Sequence, residues 1–174
     1  MSDNVYLGNP NLKKANTPIE FTQDQVFEFM KCKDDPVYFA NNYIKIVSLD
    51  EGLTQFHPYH FQEKLINNFH NHRFNICKMP RQTGKSTTVV SYLLHYLIFN
   101  DSVNVGILAN KAATARELLG RLATAYENLP KWMQQGIIAW NKGNIELENG
   151  SKICLLYTSP SPRDVEESRM PSSA

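Results

Sequence analysis

The residues best suited to chemistry in this sequence are consecutive: Arg81-Gln82-Thr83-Gly84-Lys85-Ser86-Thr87. Glycine, lysine and a hydroxyl residue in that order can hold phosphate. Successive backbone N–H groups in such a turn point inward at phosphate oxygens, and a helix that starts there adds its positive end. Gly84 permits close backbone approach, Lys85 supplies a point charge for β- and γ-phosphates, and Ser86 can set its hydroxyl on Mg²⁺. Gln82, Thr83 and Thr87 complete the candidate binding loop. The common spacing G-x-x-x-x-G-K-[ST] asks for glycine at position 79, where this chain has Met79. A chance Gly-Lys-Ser at a helix start is the competing reading, and the surrounding elements argue against it.

Two further side chains bear on the same chemistry. Arg81 is either a solvated loop arginine or a guanidinium beside the γ-phosphate, able to act as an arginine finger in cis. Gln62, in the run Pro58-Tyr59-His60-Phe61-Gln62, stands twenty-two residues before Gly84. In P-loop motors a glutamine so placed reads the adenine edge with an aromatic nearby; the plainer reading is an exposed helical glutamine.

The elements that must position these residues follow a βαβ order. Phe74–Lys78 reads as a short strand before the loop, and an apolar helix follows through Val89, Val90, Leu93, Leu94, Leu97 and Ile98 to near Asn100. Residues 104–109 read as a second buried strand. A helix over about 112–128 carries an i, i+4, i+8 stripe of Leu118, Leu122 and Tyr126. Residues 137–140, 144–147 and 152–156 read as strands, with Asn149-Gly150 as a hairpin turn. The expected fold is α/β, a P-loop NTPase with a parallel sheet covered by helices, and a β-hairpin near the C-terminus.

Ahead of this lies a helical segment. Thr22 and Gln25 stand in capping-box spacing, Pro36 opens a second helix, and a third covers about 60–69. Residues 1–20 have no clear period and read as an extended arm, and 44–56 as an irregular connector with some strand character. The expected domains are an arm and helical segment over 1–57, an incomplete P-loop domain over 58–156, and a disordered tail over 157–174. That tail is rich in Ser and Pro with almost nothing to bury.

Composition excludes several classes. The 174 residues are 42% apolar and 20% charged, with net charge +1, which is globular rather than fibrous or disordered. No run is long enough for a membrane span, and the N-terminus lacks a secretory h-region. Cys32, Cys77 and Cys154 are odd in number and far apart, and read as free thiols in a reducing compartment. A DNA-binding face would have to be a local patch.

R-Q-x-G-K-[ST] without the first glycine resembles the divergent Walker A of phage large terminases. The segments DDPVYFANNYIKIVSLDEGL and VGILANKAATARELLGRLATAYENLPKWMQQGIIAWNKGNIELENGSKI resemble flanking parts of the same ATPase domain, so that the resemblance covers about 34–153. It is closest to the large terminases of contractile-tailed myoviruses. The resemblance implies a motor that uses ATP and Mg²⁺ to package double-stranded viral DNA. It implies Gln62 as the adenine reader, Arg81 and Lys85 in catalysis, and Ser86 on Mg²⁺. It places Ala109, Asn110 and Lys111 at a strand end facing the site. It implies portal protein and small terminase subunit as partners, no membrane, and residence in host cytoplasm and transiently at the procapsid portal. In the family an Asp-Glu strand and a nuclease domain follow. The resemblance is read as stopping near Cys154, and the segment from Tyr157 resembles translated adapter sequence, so the chain as written is expected to be an inactive fragment. The rival is a superfamily 2 helicase or another P-loop translocase; downstream sequence would discriminate.

Other features read as structural. His57, His60, His70 and His72 lack common zinc spacing, and His95, Trp132 and Trp140 read as packing residues. Arg116 and Arg121 read as a solvated face, the alternative being a DNA contact that nothing else in the sequence supports.

Overall fold

Thr22 opens the first helix, α1 (Gln23–Asp34), through a capping box: its Oγ1 accepts the Gln25 N–H at 3.3 Å while Gln25 Oε1 accepts the Thr22 N–H at 3.1 Å. Asp35 caps α2 (Pro36–Tyr43), accepting N–H groups of Val37 and Tyr38 at 2.9 Å, with proline in the first turn. α3 (His60–Asn71), α4 (Lys85–Phe99) and α5 (Ala112–Glu127) complete the helices. A computed structural model of the chain describes residues 4–48, 52–109 and 111–156. The expected disordered tail and Asn110 lie outside the described residues.

Two hairpins form where an extended arm and an irregular connector with some strand character were expected. β1 (Val5–Tyr6) pairs with β2 (Asn9–Lys13), and β3 (Lys45–Ser48) with β4 (Gly52–Gln55), both antiparallel. Residues 5–13, expected to be part of an extended arm, are therefore a hairpin docked on the rest of the chain. Leu12 is 1% exposed, Lys13 Nζ meets Glu148 Oε1 at 2.9 Å, and Gln134 both accepts the Lys13 N–H and donates to the Asn11 carbonyl.

The main sheet has the order β5 (Asn104–Leu108), β8 (Lys152–Leu156), β7 (Asn144–Leu147), β6 (Ile137–Trp140). β5 and β8 are parallel, with Val105 opposite Ile153; the other two pairings are antiparallel. The sheet is thus mixed: β5 and β8 form its parallel pair, and the expected C-terminal hairpin, β7–β8, is built into the same sheet and not set beside it. The β7–β8 connection turns at Gly150, whose φ of +77° is left-handed, as the Asn-Gly pair foretold. Asn149 Nδ2 ties this turn to the end of α4, donating to the carbonyls of Leu97 and Asn100. The opposite end of α4, with the Arg81–Thr87 loop, therefore lies away from the start of β8, on the side toward which β5 and β8 run.

Phe74–Lys78 is not a strand. It pairs with nothing among the described residues, and Phe74 and Ile76 are exposed. An apolar run becomes a strand only with a ladder partner for its backbone groups, and none is in register here. The parallel pairing expected of this run with 104–109 does not form. The apolar helix read after the loop is α4, and its apolar face is closed over: Val90, Leu94, Leu97 and Ile98 are all buried. One apolar cluster joins Leu12, Phe39, Ile66, Leu94, Leu122 and Ile153, so elements before and after residue 58 share a core.

Candidate functional site

The loop ahead of α4 is shaped by two left-handed residues, Gln82 (φ +61°) and Gly84 (φ +72°), the latter being the N-cap of the helix. Glycine adopts this conformation without strain and glutamine at a cost. Thr83 Oγ1 donates to the Pro80 carbonyl at 3.0 Å and Thr88 Oγ1 to the Gly84 carbonyl at 3.0 Å, closing the loop from inside. Lys85 bends back, its ammonium donating to the carbonyls of Met79, at 3.1 Å, and Pro80. The backbone N–H groups of Gln82, Gly84, Lys85, Ser86 and Thr87 have no acceptor among the described residues, and Thr88 N–H is the first in the helix to find one, on the Gly84 carbonyl. A lysine ammonium held over a row of free N–H donors at a helix N-terminus is a setting for a phosphate chain.

Gln62 reaches the same loop from α3. It is 3% exposed. Its Oε1 accepts the Tyr59 N–H at 2.8 Å, which is half of a capping box, and its Nε2 donates to the Thr83 carbonyl at 3.3 Å. Each amide atom keeps one further hydrogen-bonding position. Gln62 is therefore not an exposed helical residue. Between α3 and residues 75–80 lies a groove of about 530 Å³ lined by Phe61, Lys64, Asn68, Ile76, Met79 and Thr83 among others. Phe61, which lines it, stacks on Tyr59 with 5.8 Å between centroids.

Residues 76–166 match the family model described as terminase large subunit, T4likevirus-type, N-terminal. The chain belongs to that family. Membership supports a role in phage DNA packaging. The terminase match takes in the loop, α4, β5, α5 and the whole four-stranded sheet, and runs beyond Cys154, where the resemblance was read as stopping, to residue 166. Gln62 and the first three helices lie ahead of the matched stretch.

In this terminase domain the predicted residues fall into two groups. Gln62 touches Thr83 and Gly84, and Lys85 and Thr83 are both tied to the Pro80 carbonyl of the same loop. Arg81, Gln82 and Ser86 are exposed, and neither the Arg81 guanidinium nor the Ser86 hydroxyl has a partner among the described residues. Ala109 and Lys111 follow the end of β5, as expected. The sequence reading missed the Met79 and Pro80 carbonyls. Backbone acceptors leave no residue-type signal, and position 79 drew notice only for lacking glycine.

Among the described residues, no group of three or more His, Cys, Asp or Glu could hold a metal ion. No helix there is long and apolar enough to cross a membrane. Trp132 packs edge-on to Tyr43 and Trp140 tilts against Tyr126. His95 is buried, with Nε2 on the Cys32 carbonyl at 2.9 Å, but its Nδ1 has no partner, nor does the nearby Ser91 hydroxyl. The core histidine is half satisfied rather than fully so.

Proposed function

We propose that Arg81–Thr87 is the ATP-binding loop of a DNA-packaging motor and that the domain has the P-loop NTPase fold. The observation that carries this reading is the Lys85 ammonium folded over a loop whose N–H groups, at Gln82 and from Gly84 to Thr87, are free. Lys85 binds β- and γ-phosphate oxygens in exchange for the Met79 and Pro80 carbonyls, and Gly84 and Thr87 N–H groups cradle the chain. The groove beside α3 takes the base, with the spare Gln62 amide positions on the adenine edge. Ser86, exposed and unpartnered in the first turn of α4, would hold Mg²⁺, which supplies charge neutralisation between the phosphates. Arg81, free to move, reaches the γ-phosphate as its charge develops. The motor acts on double-stranded DNA with portal protein and small terminase subunit as partners, in host cytoplasm and at the procapsid.

As this polypeptide stands, we expect binding without turnover. Phosphoryl transfer needs an acid to hold Mg²⁺ from a second side and a group to align water, and no Asp or Glu among the described residues bonds to the loop. The test is nucleotide binding and phosphate release on residues 1–174 with Mg²⁺-ATP. Binding that Lys85→Ala abolishes, without Lys85-dependent release, is expected. Binding indifferent to Lys85→Ala overturns the loop assignment, and Lys85-dependent release overturns the expectation of inactivity.

A further inference from the structure

α5 carries two arginines five positions apart, and at 3.6 residues per turn they project from different faces. Arg121 is neutralised, its Nη2 on Glu117 Oε1 at 2.7 Å. Arg116 has no such partner. It lines a groove of about 430 Å³ between α5 and the β6–β7 hairpin, together with Gly120, Ala123, Trp140, Asn141 and Lys142. Gly120 and Ala123 keep the helix side shallow. Lys142, at the hairpin tip, is exposed and equally unpaired among the described residues, and no carboxylate lines the groove. Asn141 Oδ1 is used within the turn, accepting the Gly143 and Asn144 N–H groups at 2.9 Å, which leaves its NH₂ as a donor. The groove thus presents two cations and a neutral donor with no acceptor of comparable strength. Such a surface is complementary to a polyanion.

The groove's aromatic content favours a duplex. Trp140 is its single aromatic and is half-buried against Tyr126, with centroids 5.5 Å apart, whereas single-strand sites stack successive bases on several rings. The hairpin tip also stands beside the end of β8, Leu155 N–H donating to the Gly143 carbonyl at 3.0 Å. This is the side of the sheet on which the Arg81–Thr87 loop lies.

We propose that this groove seats the phosphodiester backbone of duplex DNA, Arg116 and Lys142 each taking a phosphate and Asn141 a phosphate oxygen. The choice of DNA as polyanion rests on the packaging reading above; the groove itself rests on its own geometry. The experiment is a fluorescence-anisotropy titration of residues 1–174 with a short random-sequence duplex, across about 50 to 200 mM salt. Arg116→Glu with Lys142→Glu is expected to weaken binding roughly tenfold or more and to flatten the salt slope by about 2. Lys14→Glu with Lys33→Glu makes the same charge change on other elements and is expected to leave the slope largely intact. Arg116→Gln with Lys142→Gln repeats the test should the reversed pair fail to fold. No binding of duplex by the parent chain, an unchanged slope, an equal loss in the control pair, or tighter binding of oligo-dT than of duplex each overturns the assignment. Fluorescent ATP-analogue binding in the same samples reports on the loop separately, so failure of the groove and failure of the packaging reading are distinguishable.

Discussion

Gln62 and Gly84 are locked together: a Cβ built on Gly84 would sit 2.5 Å from Gln62 Nε2, the nitrogen that donates to the neighbouring Thr83 carbonyl. Gly84 is thus required twice, by its φ of +72° and by the amide pressed against it. Gly84→Ala is expected to cost about 1–3 kcal/mol of stability. Gln62→Ala in the same chain should return part of that loss, because it removes the clash but not the backbone strain. A double-mutant cycle by chemical denaturation checks this, and strictly additive losses would show that the contact carries no coupling.

Lys85 and Arg81 are expected to separate binding from turnover. In an active packaging ATPase bearing this loop, Lys85→Ala removes a charge-assisted phosphate contact and should weaken nucleotide binding. Arg81, exposed and unpartnered, should matter chiefly in the transition state. Arg81→Ala is expected to lower kcat by about 10³-fold or more with little change in Kd. Equal kcat values for parent and Arg81→Ala would dismiss the finger role.

What could be read from the sequence divides along the range of the interactions involved. The Thr22–Gln25 capping box, Pro36 and the Asn149-Gly150 turn are set by residues within a few positions of each other, and all three stand as read. Phe74–Lys78 has the right side chains for a strand, but strand geometry needs a partner that local sequence cannot specify. Residues 9–13 have no period because their partners, Gln134 and Glu148, are more than a hundred positions away. At the loop, Gly84 and Lys85 were singled out by type and spacing, and Gln62 by the family resemblance. The mutual contact of Gln62 and Gly84 was not, and for Arg116 sequence offered a solvated face or a DNA contact with nothing to choose between them, since its setting depends on a hairpin folded from distant sequence.

The N-terminal hairpin is expected to be a structural part of the domain. Leu12 is fully buried in the common core, and Glu148 accepts both the Lys13 ammonium and the Asn16 N–H. Leu12→Ala should cost about 2–5 kcal/mol, in the range of large-to-small core changes, whereas Leu7→Ala, at an exposed position, should fall within about 0.5 kcal/mol of the parent. Thermal melting of the two variants checks this. Equal melting temperatures would mean the hairpin is undocked in solution.

His95 should make the domain acid-sensitive in a defined window. Burial pushes its pKa down to about 4, against the opposing pull of its bond to the Cys32 carbonyl. Its ring is enclosed by Phe39, Tyr92 and Phe99, with His70 the nearest titratable ring at 6.0 Å. The unfolded chain takes up a proton near pH 6.5, while the folded chain resists until about pH 4, so between those values the unfolded state binds more protons. Stability therefore rises with pH across this interval: the contribution is complete above about 6.5, is lost as pH falls, and is gone below about 4. The size follows from the shift, roughly 3 kcal/mol at 1.36 kcal/mol per unit. Glu148, whose pKa is lowered despite its burial by the Lys13 ammonium and two backbone N–H groups, adds a loss only below its ordinary carboxylate range, so the upper part of the window belongs to His95. His95→Gln retains a donor for the Cys32 carbonyl without the titration. Urea unfolding of parent and variant from about pH 7 to 5 should show stability falling in the parent and nearly level in His95→Gln. Parallel slopes in the two proteins would mean that His95 is protonated in the fold and that some other group sets the acid limit.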